Sequence, residues 1–225
     1  MTEGRDLYCR RSFLAFVASA ATASALGQSE AASLVADDGS PVRVIETGGR
    51  PLVREFAHAQ GFGAQDPDVI LVEFFDYNCG YCRSGWLPMA GLLADDARIA
   101  LHLVHFPILS RASEDAAAMQ QAVFSRDGPS AGAELHGRLM ASQGRIDKDS
   151  ARAACAMLQI GEPTGSQIDQ AREEIAQTRK MCARFGIRFT PTFSIADTTF
   201  VGWPGPTTIT ALVAEVRRCG RLNCS

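Results

Sequence analysis

Long apolar runs, a surplus of basic charge and internal repeats are all missing from this sequence of 225 residues. No uninterrupted apolar run reaches the roughly 18–20 residues that a membrane-spanning helix requires, so we expect no stable membrane insertion. The formal net charge is −3, which removes the basic field that would hold nucleic acid. Composition also argues against collagen-like, coiled-coil and disordered chains. What remains is a globular protein of one or two domains.

Cysteine is the residue whose number needs explaining. Seven cysteines are many for a protein kept reduced in a cytosol, and an odd number in an exported protein would leave one thiol unpaired. Six remain if Cys9 leaves with a signal peptide, and an even set fits an oxidising compartment. We therefore predict an exported, periplasmic bacterial protein.

Residues 1–25 have the features of such a signal peptide. Arg10 and Arg11 precede an apolar stretch that is too short to span a bilayer and that ends in a small-x-small pattern at 23–25. The arginine pair followed by Ser-Phe-Leu favours the twin-arginine route, with ordinary Sec export as the alternative.

A βαβ unit follows a small, polar, Gly-rich arm that we place at residues 26–66, with one strand-like piece at 42–45. The near-continuous apolar run Val69–Phe75 predicts a strand buried on both faces. A helix is predicted over about 80–95 and a second strand over 98–106, so the two strands should be parallel. Asp76, at the end of the first strand, is expected to stabilise the turn that follows it.

An Ala-rich helical segment separates this unit from the last strands. Ser113 is the expected N-cap of its first helix, because acidic residues follow directly. The sequence therefore predicts an α/β sheet domain in two parts, 67–111 and 186–225, interrupted by an all-helical insertion at 112–185. The remaining expected elements are helices over 130–142, 149–159, 166–185 and 206–218, and a hairpin of strands at 193–196 and 199–201.

Cys79-Gly80-Tyr81-Cys82 is the strongest chemical motif. Two thiols three positions apart at the start of a helix can form an exposed disulfide, and the helix N-terminus stabilises a thiolate on Cys79. A thiolate is the attacking species in disulfide exchange, and Cys82 would resolve the mixed disulfide. A zinc site needs two further ligands at paired spacing, and none follows. We therefore predict a redox-active disulfide and no metal.

Three segments together resemble the DsbA-like thiol:disulfide oxidoreductases: the FFDYNCGYC sequence at 74–82, Phe106-Pro107-Ile108 with the helical segment, and Thr190-Pro191-Thr192-Phe193. The resemblance covers roughly residues 66–218. It implies a thioredoxin fold with an inserted helical domain and a cis bond before Pro191. It also implies that Thr190 presents its backbone N–H and C=O to a substrate chain and its hydroxyl to the sulfur of Cys79.

The same resemblance gives roles to further residues. It implies that Glu73, in the apolar strand, is a buried proton acceptor for Cys82; the alternative is an edge position with its carboxylate in solvent. Tyr81 and Trp203 would form an apolar rim for substrates, with core packing equally open for Trp203. The expected substrates are unfolded or misfolded exported proteins with thiols, the expected partner is a membrane redox protein, and no cofactor is needed.

Two departures leave the direction of the reaction open. Gly80-Tyr81 and Thr190 resemble the DsbC/DsbG-type isomerases, whereas the short, polar arm lacks the bulk of a dimerisation domain. We expect an oxidase, with isomerase or reductase as the alternative. A copper-sequestering thiol protein is the alternative of another class, since thiolates suit Cu(I).

The other four cysteines are expected to stabilise the scaffold. Cys155 and Cys182 lie on two predicted helices of the insertion, and Cys219 and Cys224 would close a short loop at the C-terminus. We predict a structural disulfide for each pair; free buried thiols are the alternative. His136, isolated in the sequence, is expected at the surface.

Overall fold

The computed structural model describes residues 34–56 and 59–222, so the predicted signal peptide lies outside the described residues. These residues form a six-stranded sheet in the order β1-β6-β5-β3-β4-β2. The predicted α/β fold class is confirmed. The strands are β1 Arg43–Ile45, β2 Gln60–Gly63, β3 Val69–Phe75, β4 Ile99–His105, β5 Thr192–Ile195 and β6 Thr198–Val201, and the helices are α1 Leu52–Glu55, α2 Gly80–Asp95, α3 Arg111–Asp127, α4 Pro129–Ala141, α5 Lys148–Met157, α6 Gly165–Arg184 and α7 Pro206–Cys219.

The predicted βαβ unit forms the centre of the sheet. β3 pairs with β4 in parallel, from Val69 opposite Ile99 to Phe75 opposite His105, and α2 connects them. On the other side β3 pairs antiparallel with β5, which forms the predicted hairpin with β6. Since β3 is central, both of its faces are covered, and six of its seven residues are buried. This explains why its sequence is almost uniformly apolar.

The outer strands come from the segment at 26–66 that was predicted to be an arm. β1 pairs antiparallel with β6, and β2 pairs antiparallel with β4. β1 lies within the strand-like piece expected at 42–45, but β2 was missed. Two of its four residues, Gly61 and Gly63, are glycines, which strands normally disfavour.

Helices α3 to α6 and the loops between them, here called the helical unit, lie between β4 and β5 in the chain. The predicted N-cap of α3 was wrong by one turn. Ser110 is the N-cap, and its hydroxyl accepts a hydrogen bond from the backbone N–H of Ser113. α5 and α6 begin with capping boxes at Asp147 and Thr164, which satisfy backbone donors that the helix itself leaves unpaired.

Two apolar clusters lie on the two faces of the sheet. The larger one joins β3 and β4 to α2, α7 and the helical unit, and it includes Cys79 and Cys82. The smaller one lies around Phe56 and Phe74, whose rings meet edge to face at 4.8 Å. Among residues 34–56 and 59–222, no helix is both long enough and apolar enough to span a membrane.

Candidate redox site

Cys79 is the N-cap of α2 and lies directly after the turn that follows β3. Its backbone is extended, with φ −77° and ψ 116°, and its sulfur accepts a hydrogen bond from the backbone N–H of Cys82 at 3.4 Å. Hydrogen bonding from the Cys82 side chain and backbone lowers the pKa of Cys79 to about 6, against the opposing effect of burial. Cys79 is therefore largely a thiolate at neutral pH, the form that attacks disulfides.

Cys82 lies one turn further along α2 and differs sharply in environment. It is almost fully buried, and burial raises the pKa of its thiol well above the ordinary value. The negative charges of Glu73 and Cys79 raise it further. Both cysteines are free thiols in this structure, which is thus the dithiol form of the site. The two sulfurs are chemically unequal, one ionised and one protonated.

The segment before β5 lies opposite Cys79, as the resemblance implies. The sulfur of Cys79 lies 3.2 Å from the carbonyl oxygen of Thr190, to which it donates in its protonated form. Hydrogen bonding with the Thr190 side chain lowers the Cys79 pKa. The peptide bond between Thr190 and Pro191 is cis. The hydroxyl of Thr192 holds the same loop by donating to the carbonyl of Phe189 at 2.8 Å.

Glu73 is buried within β3, with only 3% of its surface exposed, so the alternative of an edge position in solvent is excluded. Alternation along the strand places it on the same face as Leu71 and Phe75, which belong to the cluster that contains both cysteines. Burial, with the charge of Cys79, raises the pKa of this carboxyl to about 8. It can therefore gain or lose a proton near neutral pH beside the thiols.

Asp76 holds the turn between β3 and α2. Its carboxylate accepts hydrogen bonds from the backbone N–H groups of Asn78 at 2.8 Å and of Ile108 and Leu109 at 3.0 Å each. Its carbonyl accepts from the N–H of Cys79 at 3.0 Å. The prediction that this residue stabilises the turn agrees with these contacts, which also join the turn to the loop after β4.

Asn78 contacts the helical unit, a role that was not predicted from the sequence. Its side-chain oxygen accepts from the backbone N–H of Ile146 at 2.8 Å. Its side-chain nitrogen donates to the carbonyl of Ile146 at 2.8 Å and to the hydroxyl of Ser113 at 3.1 Å. No local pattern reveals such contacts, because the partners are 35 and 68 positions away.

The prediction of a surface position for His136 was wrong: the side chain is fully buried beside the turn. Its Nδ1 lies 3.1 Å from the hydroxyl of Tyr77, and its ring meets that of Trp86 edge to face at 4.4 Å. Burial lowers the pKa of His136 well below the ordinary value, so the ring is neutral. A neutral ring can accept the Tyr77 proton at Nδ1, which gives the buried phenol a partner.

Large apolar and aromatic residues near the site divide into exposed and packed ones. Tyr81 is 73% exposed on the first turn of α2, and Phe189 and Leu109 are 46% and 54% exposed. Trp203 instead packs against α2 at Gly85, where an added Cβ would lie 2.9 Å from its ring, and against Phe193. These contacts favour core packing for Trp203 and leave Tyr81 available at the surface.

The predicted disulfide between Cys155 and Cys182 is wrong, because both residues are free and buried. Cys182 is 17 positions after the start of α6, about 26 Å along the helix axis at 1.5 Å per residue. Cys155 lies near the other end of α6: it is close to Arg126, which borders the first turns of that helix. Bridged cysteines have Cα atoms roughly 4.4–6.8 Å apart.

Cys219, at the end of α7, is disulfide-bonded. Its predicted partner, Cys224, lies outside the described residues, so that pairing stays a prediction. Within residues 34–56 and 59–222, no group of three or more His, Cys, Asp or Glu residues could hold a metal ion.

Comparison with known families and structures identifies relatives of the described fold. A family model described as thioredoxin matches residues 58–215. A thioredoxin-like oxidoreductase from Silicibacter pomeroyi DSS-3 superimposes with a TM-score of 0.65 at 26% identity, over 76% of this chain and 98% of that one. No curated protein matches the sequence.

Two further structures are similar in fold at lower identity. The thiol-disulfide exchange protein alpha-DsbA2 from Wolbachia pipientis has a TM-score of 0.63 at 22% identity, over 73% of this chain and 93% of that one. ScsC from Proteus mirabilis, in a transitional conformation, has a TM-score of 0.69 at 24% identity, over 76% of this chain and 81% of that one.

Proposed function

Since the chain belongs to the thioredoxin family and has the fold of its DsbA-like members, we propose that it is an exported thiol:disulfide oxidoreductase that introduces disulfides into other proteins. The observation that carries the proposal is the contrast between Cys79, with a pKa of about 6, and Cys82, with a pKa raised by burial. A periplasmic location is proposed with it. A thioredoxin-like protein of the same fold from Salmonella enterica serovar Typhimurium is described as periplasmic.

The proposed reaction begins with the oxidised enzyme. A substrate thiolate attacks the sulfur of Cys79, the bond between Cys79 and Cys82 breaks, and Cys82 leaves as a thiolate that takes up a proton. A second substrate thiolate then attacks the substrate sulfur of the mixed disulfide and releases Cys79 as a thiolate. The substrate loses two electrons and gains a disulfide, and the enzyme is left as the dithiol.

We assign the proton transfer at Cys82 to Glu73. A carboxyl group with a pKa of about 8 is largely protonated at neutral pH, so it can supply the proton that the Cys82 thiolate needs. Because burial disfavours a thiolate at Cys82, proton transfer from the neutral Glu73 carboxyl makes the departure of Cys82 more favourable. In the reverse direction Glu73 accepts that proton.

Thr190 and Tyr81 are proposed to bind the substrate beside Cys79. The carbonyl of Thr190 lies 3.2 Å from the Cys79 sulfur, so a substrate strand bonded to this loop would have its own sulfur within reach. Tyr81, 73% exposed, offers an apolar surface next to it. We infer that unfolded or misfolded proteins with exposed thiols are the substrates, and that a membrane redox partner reoxidises the enzyme.

An oxidase is favoured over an isomerase for two reasons. A thiolate stabilised at Cys79 stabilises the reduced enzyme, and that makes the disulfide form a stronger oxidant. In addition, β1 and β2 take up the described part of the segment before β3 within the sheet, which leaves no separate dimerisation domain there. The Gly80-Tyr81 dipeptide and Thr190 favour the isomerase alternative, so the assay must separate the two reactions.

Refolding assays test this function. Oxidised enzyme is mixed with a reduced, unfolded substrate protein, and disulfides in the substrate are counted over time; the same enzyme, reduced, is mixed with a scrambled substrate. We expect stoichiometric oxidation in the first assay, its loss in C79S, and its retention in C155A, which removes a thiol outside the site. Activity in C79S would rule the proposal out. If the enzyme restores the scrambled substrate faster than it oxidises the reduced one, the protein is an isomerase.

A further inference from the structure

The turn before Cys79 is hydrogen-bonded to two other parts of the structure. Asp76 joins it to the loop after β4 through the backbone N–H groups of Ile108 and Leu109. Asn78, the residue directly before Cys79, joins it to the helical unit. The first contact joins neighbouring parts of the sheet, because the loop follows β4, the strand next to β3. The second contact joins the turn to a residue 68 positions away in the chain.

The side chain of Asn78 uses its hydrogen-bonding groups almost completely. Its oxygen accepts from the N–H of Ile146 and its nitrogen donates to the carbonyl of the same residue, as a neighbouring strand would. The second proton of the nitrogen goes to the hydroxyl of Ser113. Ile146 and Ser113 are both fully buried, so the backbone groups of Ile146 rely on Asn78 for these hydrogen bonds.

We propose that Asn78 is a positioning residue for Cys79, which holds the reactive sulfur at the start of α2 by fixing the turn to Ile146 and Ser113 of the helical unit. A second contact supports the same junction: the guanidinium of Arg83 donates to the carbonyl of Gly144 at 2.7 Å. None of these bonds involves a sulfur atom, so oxidation of the two cysteines removes none of them.

The acidity of Cys79 depends on the position of the turn, because the hydrogen bonds to its sulfur are sensitive to small movements. The N–H of Cys82 donates to the sulfur at 3.4 Å, and a hydrogen bond with the side chain of Thr190, on a different part of the chain, also lowers the Cys79 pKa. Releasing Asn78 lets the turn move relative to both. The thiolate then loses hydrogen bonds that stabilise it, and the thiol becomes a weaker acid.

The proposal rests on the proposed function, and the test is a titration of the Cys79 thiolate by its ultraviolet absorbance in the full-length reduced protein. The signal of C79S is subtracted to remove the other thiols. In N78A we expect the midpoint to rise by about one pH unit, roughly a tenfold change in the acid dissociation constant. The matched control is T164A, which removes the capping box of α6, a helix that contains none of the partners of Asn78, and should leave the midpoint unchanged.

Each outcome is decisive. An unchanged midpoint in folded N78A overturns the positioning role, even if the variant is less stable, and so does an equal rise in T164A. If N78A does not fold, S113A, which removes one of the three bonds of Asn78, should raise the midpoint by a smaller amount, and no rise overturns the proposal. A wild-type midpoint near that of an ordinary cysteine would instead contradict the proposed function itself, and this proposal with it.

Discussion

The thiol of Cys79 lies 3.2 Å from the carbonyl oxygen of Thr190, although 111 positions separate the two residues in the chain. The carbonyl belongs to the backbone, so a substitution at position 190 retains it. The side-chain hydroxyl of Thr190, which lowers the Cys79 pKa, can be removed separately. We therefore expect T190V to raise this pKa above its value of about 6 without abolishing exchange. Titration of the thiolate measures the effect.

The control for this prediction is T192V. It removes a hydroxyl from the same loop, but that hydroxyl donates to the carbonyl of Phe189 and does not reach Cys79. The Cys79 pKa should stay near 6 in T192V. An equal change in both variants would show that the loop as a whole, and not the Thr190 hydroxyl, sets the acidity.

Much of the fold could be predicted because its central elements have strong local signals. The run from Val69 to Phe75 is apolar at six of seven positions, and the next strand ends one residue before Phe106-Pro107, so the parallel pair was correct. β2 was missed because two glycines weaken its strand signal and because it is held by pairing with β4 and by contacts of Gln60 and Phe62 with distant residues. Pairing of that kind depends on tertiary structure and leaves no local trace.

The site was predictable to the extent that its residues lie in motifs. Cys79 and Cys82 are close in the chain, and Thr190 precedes a proline. Asn78 and His136 were not found, because each depends on partners that only the fold brings close. The predicted pairing of Cys155 with Cys182 failed for the same reason, since spacing in sequence says nothing about which end of α6 each one occupies.

Removing the carboxylate of Asp76 should destabilise the protein. Three backbone N–H groups donate to it, and the side chain is only 1% exposed, so an apolar replacement leaves buried donors without partners. We expect D76A to lower the free energy of unfolding by about 2–4 kcal/mol. Chemical denaturation of the reduced protein at pH 7 measures this. S166A, which changes an exposed hydroxyl on α6, is the comparison and should lose less than about 0.5 kcal/mol.

Glu73 should make the folded protein less stable as the pH rises. Its pKa is about 8 in the folded state against 4.5 for an exposed carboxyl, so between these values the unfolded chain releases a proton that the folded chain retains. Stability therefore falls with rising pH in this window, by about 5 kcal/mol if the whole shift is expressed. We expect E73Q to be closer to wild type in stability at pH 4.5 and clearly more stable at pH 8.

The same variant should be slower in exchange, and this separates the proton-transfer role from the cost of burial. The amide in E73Q keeps the shape of the side chain but cannot supply a proton to Cys82. Oxidation of substrate by E73Q should therefore be slower at pH 7 while the Cys79 thiolate still forms. An E73Q protein that oxidises substrate as fast as wild type would remove Glu73 from the mechanism and leave only its effect on stability.

His136 should make the protein sensitive to acid in the opposite sense. Burial holds its pKa in the folded state well below 6.5, so below pH 6.5 the unfolded chain binds a proton that the folded chain does not, and stability is lost as the pH falls. One such group contributes a slope of about 1.4 kcal/mol per pH unit. We expect H136F, an aromatic replacement among Phe75 and Trp86, to be less stable at pH 7 because the Tyr77 hydroxyl loses its acceptor, yet to lose less stability on acidification. Parallel stability curves for H136F and wild type between pH 4 and 7 would show that the buried ring does not determine the acid sensitivity.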